Sequence, residues 1–218
     1  MKPKTLIMPS ILTTKYEEFE RRLKFARSVT KAAQIDFIDG EFCDGITLPI
    51  EKWPSLGLEY SEVHLMVKRP IEYLECVAKL GVTRAVVHIE ADFDLEELKL
   101  KARELDILLG FAINPETDLE KVRPFYQVSN YFLVMGVTPG SEGQLMHSTT
   151  PLAVSFLKKQ PYRLIVGVDG GVNESTAKQL YQHGASYLVA GSALFADGDP
   201  EENYKNLLES LHDDDQGA

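Results

Sequence analysis

Two aspartates close apolar runs far apart in the chain, Asp36 in AQIDFID (33–39) and Asp169 in RLIVGVD (163–169). Carboxylates on separate strands can flank a planar intermediate, one taking a proton from the first face and the other returning a proton to the opposite face. That is the chemistry needed to invert a carbon next to a carbonyl. The plainer reading is that Asp36 caps a helix and Asp169 only makes the turn before Gly170. Gly170 and Gly171 follow one run, and Gly191 with Ser192 closes SYLVAGS (186–192). Glycine lets backbone N–H groups approach an anion closely, so these positions can cradle a phosphate, although paired glycines also serve tight turns. The segment Thr138–Gln144, with Gly140 and Gly143, has a Pro-Gly start and a small or polar interior, which suits a lid or an ordinary surface loop.

Elements that could position these groups recur along the chain. Eight short apolar runs begin with TLIMPS (5–10) and end with SYLVAGS, and each is followed by a stretch of helical period. Helices are expected at 15–28, 71–80, 95–105, 119–126, 151–159, 174–183 and 200–211, with a poorly patterned piece near 49–56. Asp94, Asp118 and Asn173 stand where N-caps belong, and Gly81 and Gly184 where helices stop. Strict alternation implies parallel strands. Eight such units fit a closed (β/α)8 barrel better than an open sheet, whose parallel strands usually number five or six. Active groups of such barrels gather where strands end. Ser10, Asp36, Asp39, His64, His88, Glu90, Asn114 and Asp169 are the polar residues there. Alternation places Gln34 and Asp36 on one strand face, and His64 with Met66 on another. Met66 and Met135 are either padding beneath a reaction site or core filler.

With 218 residues, 44% of them hydrophobic, the chain can bury one sizeable core. One domain is expected over 1–212, followed by a short acidic tail at 213–218. The net charge of −10 disfavours nucleic acid and anionic membrane as partners. Two cysteines, Cys43 and Cys76, make no disulfide framework and have no base or thiol beside them, so neither is given a role. The lack of a long apolar run or a convincing cleavage site points to a cytoplasmic protein.

The blocks MPSIL (8–12), IDFIDGEF (35–42), VHLMVKRP (63–70), VVHIEA (86–91), INPET (113–117), VMGVTPGSEGQ (134–144), VDGGV (168–172) and GASYLVAGSALF (184–195) occur in order over nearly the whole chain. Together they resemble the ribulose-phosphate 3-epimerases. The resemblance implies a phosphate-binding TIM barrel that inverts C3 of a ketopentose 5-phosphate through an enediolate. It also implies a homo-oligomer, a sugar-phosphate ligand, and a divalent cation such as Zn²⁺, Mn²⁺ or Fe²⁺. Carried over by position, Asp36 and Asp169 are the acid/base pair and metal ligands, His64 is a metal ligand that also meets substrate, and Ser10 contacts substrate. Gly140, Gly143, Gly170, Gly171, Gly191 and Ser192 complete the substrate site.

Two motifs depart from the family pattern, and in the first of them Ile38 also stands where the family has methionine. Gln34 stands where the family's HxDxMDGxF motif begins with histidine, and PGSEGQ replaces PGFGGQ in the loop, with Ser141 for an aromatic and Glu142 for glycine. A glutamine offers a metal only a neutral amide oxygen, a weaker donor than imidazole. His88 is a possible substitute ligand or simply a buried histidine. If no metal binds, Gln34 is expected to donate its NH2 to a substrate oxygen. Glu142 would bring negative charge towards a phosphate, so either it faces solvent or the lid works differently here. Three functions follow: an epimerase of D-ribulose 5-phosphate, an epimerase of a related ketose phosphate such as allulose 6-phosphate, and a catalytically silent barrel that binds phosphosugars.

Overall fold

The computed structural model describes residues 3–212. The proposed acidic tail at 213–218 lies outside the described residues. Eight parallel strands close in chain order: β1 Ile7–Ile11, β2 Ala32–Ile38, β3 Tyr60–Met66, β4 Arg84–His88, β5 Leu108–Ile113, β6 Tyr131–Met135, β7 Ile165–Asp169 and β8 Tyr187–Ala190. Pairing of β8 with β1 completes the ring. The helices are α1 Tyr16–Val29, α2 Leu74–Lys79, α3 Leu95–Glu104, α4 Thr150–Lys158, α5 Glu174–Gln182, α6 Ser192–Phe195 and α7 Pro200–Ser210. The expected (β/α)8 barrel is present.

Local chemistry sets the helix ends. Asp94, Asp118 and Asn173 each accept a backbone N–H of the following turn, and Asn173 forms a reciprocal capping box with Thr176. Two connections are tighter than an α-helix. Leu119–Gln127 is a 3-10 helix containing Pro124, whose missing N–H breaks α-helical bonding, and the piece near 49–56 shortens to a 3-10 turn at Ile50–Lys52. The expected helix at 71–80 divides into a 3-10 turn at Pro70–Tyr73 followed by α2.

The alternating strand faces make two cores. Residues such as Ile35, Val63, Leu65, Val87, Phe111 and Val166 point outward and pack under the helices. The inward set includes Met8, Tyr60, Val86, Tyr131, Leu133, Tyr187 and Val189. At the bottom of the barrel the filling is polar. Glu62 is fully buried and accepts hydrogen bonds from Tyr60 at 2.9 Å, from Tyr187 at 3.3 Å and from Tyr131. The Arg84 guanidinium lies 3.8 Å from the centre of the Tyr131 ring. Burial, opposed by the tyrosine bonds and Arg84, pushes the Glu62 carboxyl up to about 7.

Candidate active site

Strand register assembles the predicted groups at the opposite, C-terminal mouth. Ser10 lies beside Gln34, and Asp36 beside His64. Asp169 ends β7, separated from β2 by β8 and β1, so its carboxylate approaches from across the mouth. Ser10 Oγ donates to Asp36 Oδ2 at 2.5 Å. His64 Nδ1 stands 3.1 Å from Asp36 Oδ1 and 3.3 Å from Asp169 Oδ2. The two carboxylates therefore share one imidazole.

Gln34 completes this arrangement in an unforeseen way. Its Nε2 donates to Asp36 Oδ1 at 2.7 Å and to Asp169 Oδ2 at 2.6 Å. The amide NH2 is used on the two carboxylates. Two carboxylates converging in a buried space need donors, and the amide serves both at once. The side chain is fully buried and its Oε1 has no hydrogen-bond partner.

Charge follows from these contacts. Burial alone would lower the His64 imidazole, but its bonds to Asp169 and Asp36 outweigh burial and raise it to about 9. His64 is thus drawn towards its imidazolium form, with a proton that a bound cation would displace. Burial raises the Asp169 carboxyl, with repulsion from Asp36 adding to the effect, while His64 and Gln34 pull it back. His88 lies behind His64, with the two Nε2 atoms 2.8 Å apart and the rings stacked at 4.9 Å. Burial, reinforced by the His64 charge, holds His88 down at about 4, so neutral His88 accepts from His64. Its other nitrogen faces Glu90 Oε2 at 3.4 Å. His88 supports His64 from behind, and it is not part of the Asp36, His64 and Asp169 group.

That group could hold a metal ion, since one ligand atom from each residue lies within 4.8 Å of the others. Two carboxylate oxygens and an imidazole nitrogen suit a divalent transition-metal cation. The unpartnered Gln34 Oε1 fits the same reading, because a half-turn of the amide would exchange the NH2 for a neutral oxygen donor.

The remaining predicted residues line one cavity above this group. Ser10, Asp36, Met66, Met135, Gly140, Gly143, Asp169, Gly170, Gly171, Gly191 and Ser192 all border it. Gly170 and Gly171 have φ of 96° and 68°, so the turn itself requires them. Gly191 has φ −108° and needs no glycine for its backbone. What it provides is space, because a Cβ there would collide with the Glu142 carboxylate. The Glu142 carboxylate thus reaches in to Gly191 and Arg22 while the residue itself stays exposed. Its partner Arg22, on α1, had no place in the sequence-based site; a buried arginine on a helix 120 residues from its acid gives no local signal.

A ribulose-phosphate 3-epimerase family model matches residues 6–195. The chain belongs to the ribulose-phosphate 3-epimerase family. It is 30% identical over 212 residues to the ribulose-phosphate 3-epimerase of Schizosaccharomyces pombe, covering 94% of this chain and 93% of the relative. It is 32% identical over 196 residues to that of Chlamydia muridarum, covering 84% of each. Among solved structures, orotidine 5'-phosphate decarboxylase from Pyrococcus horikoshii is similar with TM-score 0.66 at 14% identity, over 95% of this chain and all of that one (100%). A tryptophan synthase structure from Mycobacterium tuberculosis gives TM-score 0.67 at 14% identity, over 96% of this chain and 93% of that one. These two likenesses bear on the fold alone. Among the described residues, no helix of this family member is long and apolar enough to cross a membrane.

Proposed function

We propose that this family member is a phosphosugar 3-epimerase that interconverts D-ribulose 5-phosphate and D-xylulose 5-phosphate. Membership of the family supports an epimerase acting on a phosphosugar. The observation that carries the reading further is the placement of Asp36 and Asp169, which approach one cavity from strands on opposite sides of the mouth and are bridged by His64 and Gln34.

In this reading, Asp36 acts as the base that takes the C3 proton from one face while Asp169, whose carboxyl is raised, gives a proton to the other. The C3–H electron pair moves into the enediolate and returns to C3 when the new C–H bond forms. The reverse reaction exchanges the roles. Ser10 fixes the Asp36 carboxylate, His64 contacts both carboxylates and holds them across the cavity, and proton exchange with solvent resets the pair. A divalent cation held by Asp36, His64 and Asp169, with Gln34 Oε1 as a neutral fourth donor, would stabilise the negative charge that develops on the substrate oxygen. Backbone N–H groups near Gly171, Gly191 and Ser192 bind the phosphate in this reading. The protein acts as a cytoplasmic homo-oligomer, as its resemblance to the family implies.

Deuterium incorporation at C3, followed from each epimer in deuterated water, tests the assignment. Asp36→Asn and Asp169→Asn keep shape but cannot take up a proton, so each should lower turnover by about two decades or more. Exchange should be blocked asymmetrically between the two variants. Full activity in either would remove that residue from the reaction, and allulose 6-phosphate turned over faster than ribulose 5-phosphate would reassign the substrate.

One observation favours a second reading. The Gln34 amide donates to both carboxylates and so occupies them, as expected of a silent barrel that binds phosphosugars without turning them over. Sugar-phosphate binding with no deuterium incorporation, under metal-supplemented conditions, would establish it.

A further inference from the structure

The Glu142 carboxylate accepts from Arg22 Nη1 at 2.7 Å and from Nη2 at 3.2 Å, a two-pronged pair between the β6–α4 loop and α1. Arg22 is only 8% exposed. Its Nε donates to Glu18 at 2.8 Å, its Nη1 reaches the Ser10 carbonyl at 3.4 Å, and its guanidinium stacks 4.7 Å from the centre of the Phe195 ring. These contacts fix a cation behind Ser10 and Glu142, two residues that line the cavity. Phe195 ends α6, the short helix that follows Gly191, so the cation stands over the segment to which the phosphate is assigned. The Glu142 carboxylate fills the space above Gly191 that a side chain there would need.

The loop position has a steric consequence. With Glu142 seated, the cavity keeps only about 60 Å³, whereas ligand sites commonly offer several hundred. Glu142 is among the residues that line this space, so its departure would enlarge it. Arg22 cannot follow Glu142, because Glu18, Ser10 and Phe195 hold it in place. Departure of Glu142 alone strips a buried guanidinium of its bidentate partner, a cost that an arriving anion removes and a neutral ligand does not.

We propose that Arg22 is the cation that receives the substrate's phosphate, and that Glu142 is a stand-in anion that occupies Arg22 until the phosphate displaces it. The inference rests on the phosphosugar reading and deepens it. The exchange makes entry depend on the ligand's charge, so the site selects phosphorylated over free sugars. Neither residue is required to touch C3.

Calorimetric titration with inorganic phosphate, D-ribulose 5-phosphate and unphosphorylated D-ribulose tests this on the full chain as wild type, Glu142→Gln, Arg22→Met and the double variant. Glu142→Gln should tighten both phosphate ligands by about tenfold, the factor expected if the seated state holds roughly nine molecules in ten. Arg22→Met should weaken both ligands by a similar factor and abolish the gain from Glu142→Gln, and binding of D-ribulose should change in none of the variants. If Arg22→Met does not fold, Arg22→Gln serves the same comparison. Unchanged phosphate affinity in Glu142→Gln, or an equal gain in the Arg22 background, would overturn the proposal while leaving the phosphosugar reading intact. No binding of either phosphate ligand to wild type or Glu142→Gln would instead defeat the phosphosugar reading itself.

Discussion

Glu62 at the barrel bottom makes a prediction whose size can be worked out. Its carboxyl is fully buried and raised from an ordinary 4.5 to about 7, chiefly by burial. Below pH 4.5 the residue is protonated in both folded and unfolded chains, so its contribution to stability is fully present. Between pH 4.5 and about 7 the unfolded chain gives up its proton while the folded chain retains it, so stability falls as pH rises, and above about 7 the loss is complete. At 1.36 kcal/mol per pKa unit, the displacement corresponds to about 3 kcal/mol. Glu62→Gln keeps the shape, can still accept from Tyr60 and Tyr131, and cannot ionise. Urea unfolding at half-unit pH steps, with wild type referred to Glu62→Gln, cancels the other titrating groups. The wild type should lose about 3 kcal/mol relative to the variant across that window, with flat difference curves on either side. A difference independent of pH would refute the assignment of a proton to the buried carboxyl.

Two further results are expected. Gln34→His supplies a stronger nitrogen donor beside Asp36, His64 and Asp169, so metal affinity should rise about tenfold or more, read by metal analysis after chelation and reloading; no metal in either protein would end the metal reading. Gly167→Ala would drive a methyl group into the Tyr187 ring inside the barrel, so the protein should lose about 1–3 kcal/mol in a denaturant melt, and wild-type stability would show that the ring can move aside.

The barrel was legible because each strand carries its own apolar run and each unit its own punctuation. Asp94, Asp118, Asn173, Gly81 and Gly184 all act locally, and the structure places each of them as a cap or stop. Asp36, His64 and Asp169 could be picked out because a strand end is a position that sequence reveals. What sequence hid depends on partners far away. Glu62 meets Tyr131 and Tyr187 across 69 and 125 residues, and its only local sign is that alternation puts it on the inward face with His64. The pairing of Arg22 with Glu142 likewise depends on how a loop settles over α1. That the Gln34 amide bridges Asp36 and Asp169 was hidden too, because it depends on distances between strands that spacing alone does not give.

Glu62 and His64 share the inward face of β3, one at the floor and the other at the mouth, and the His64 charge is among the influences that lower the Glu62 carboxyl. That proximity joins the two ends into a single electrostatic column. Anyone transplanting this mouth onto another eight-stranded scaffold would have to bring the floor with it: over an aliphatic base, the same aspartates and histidine would hold their protons differently.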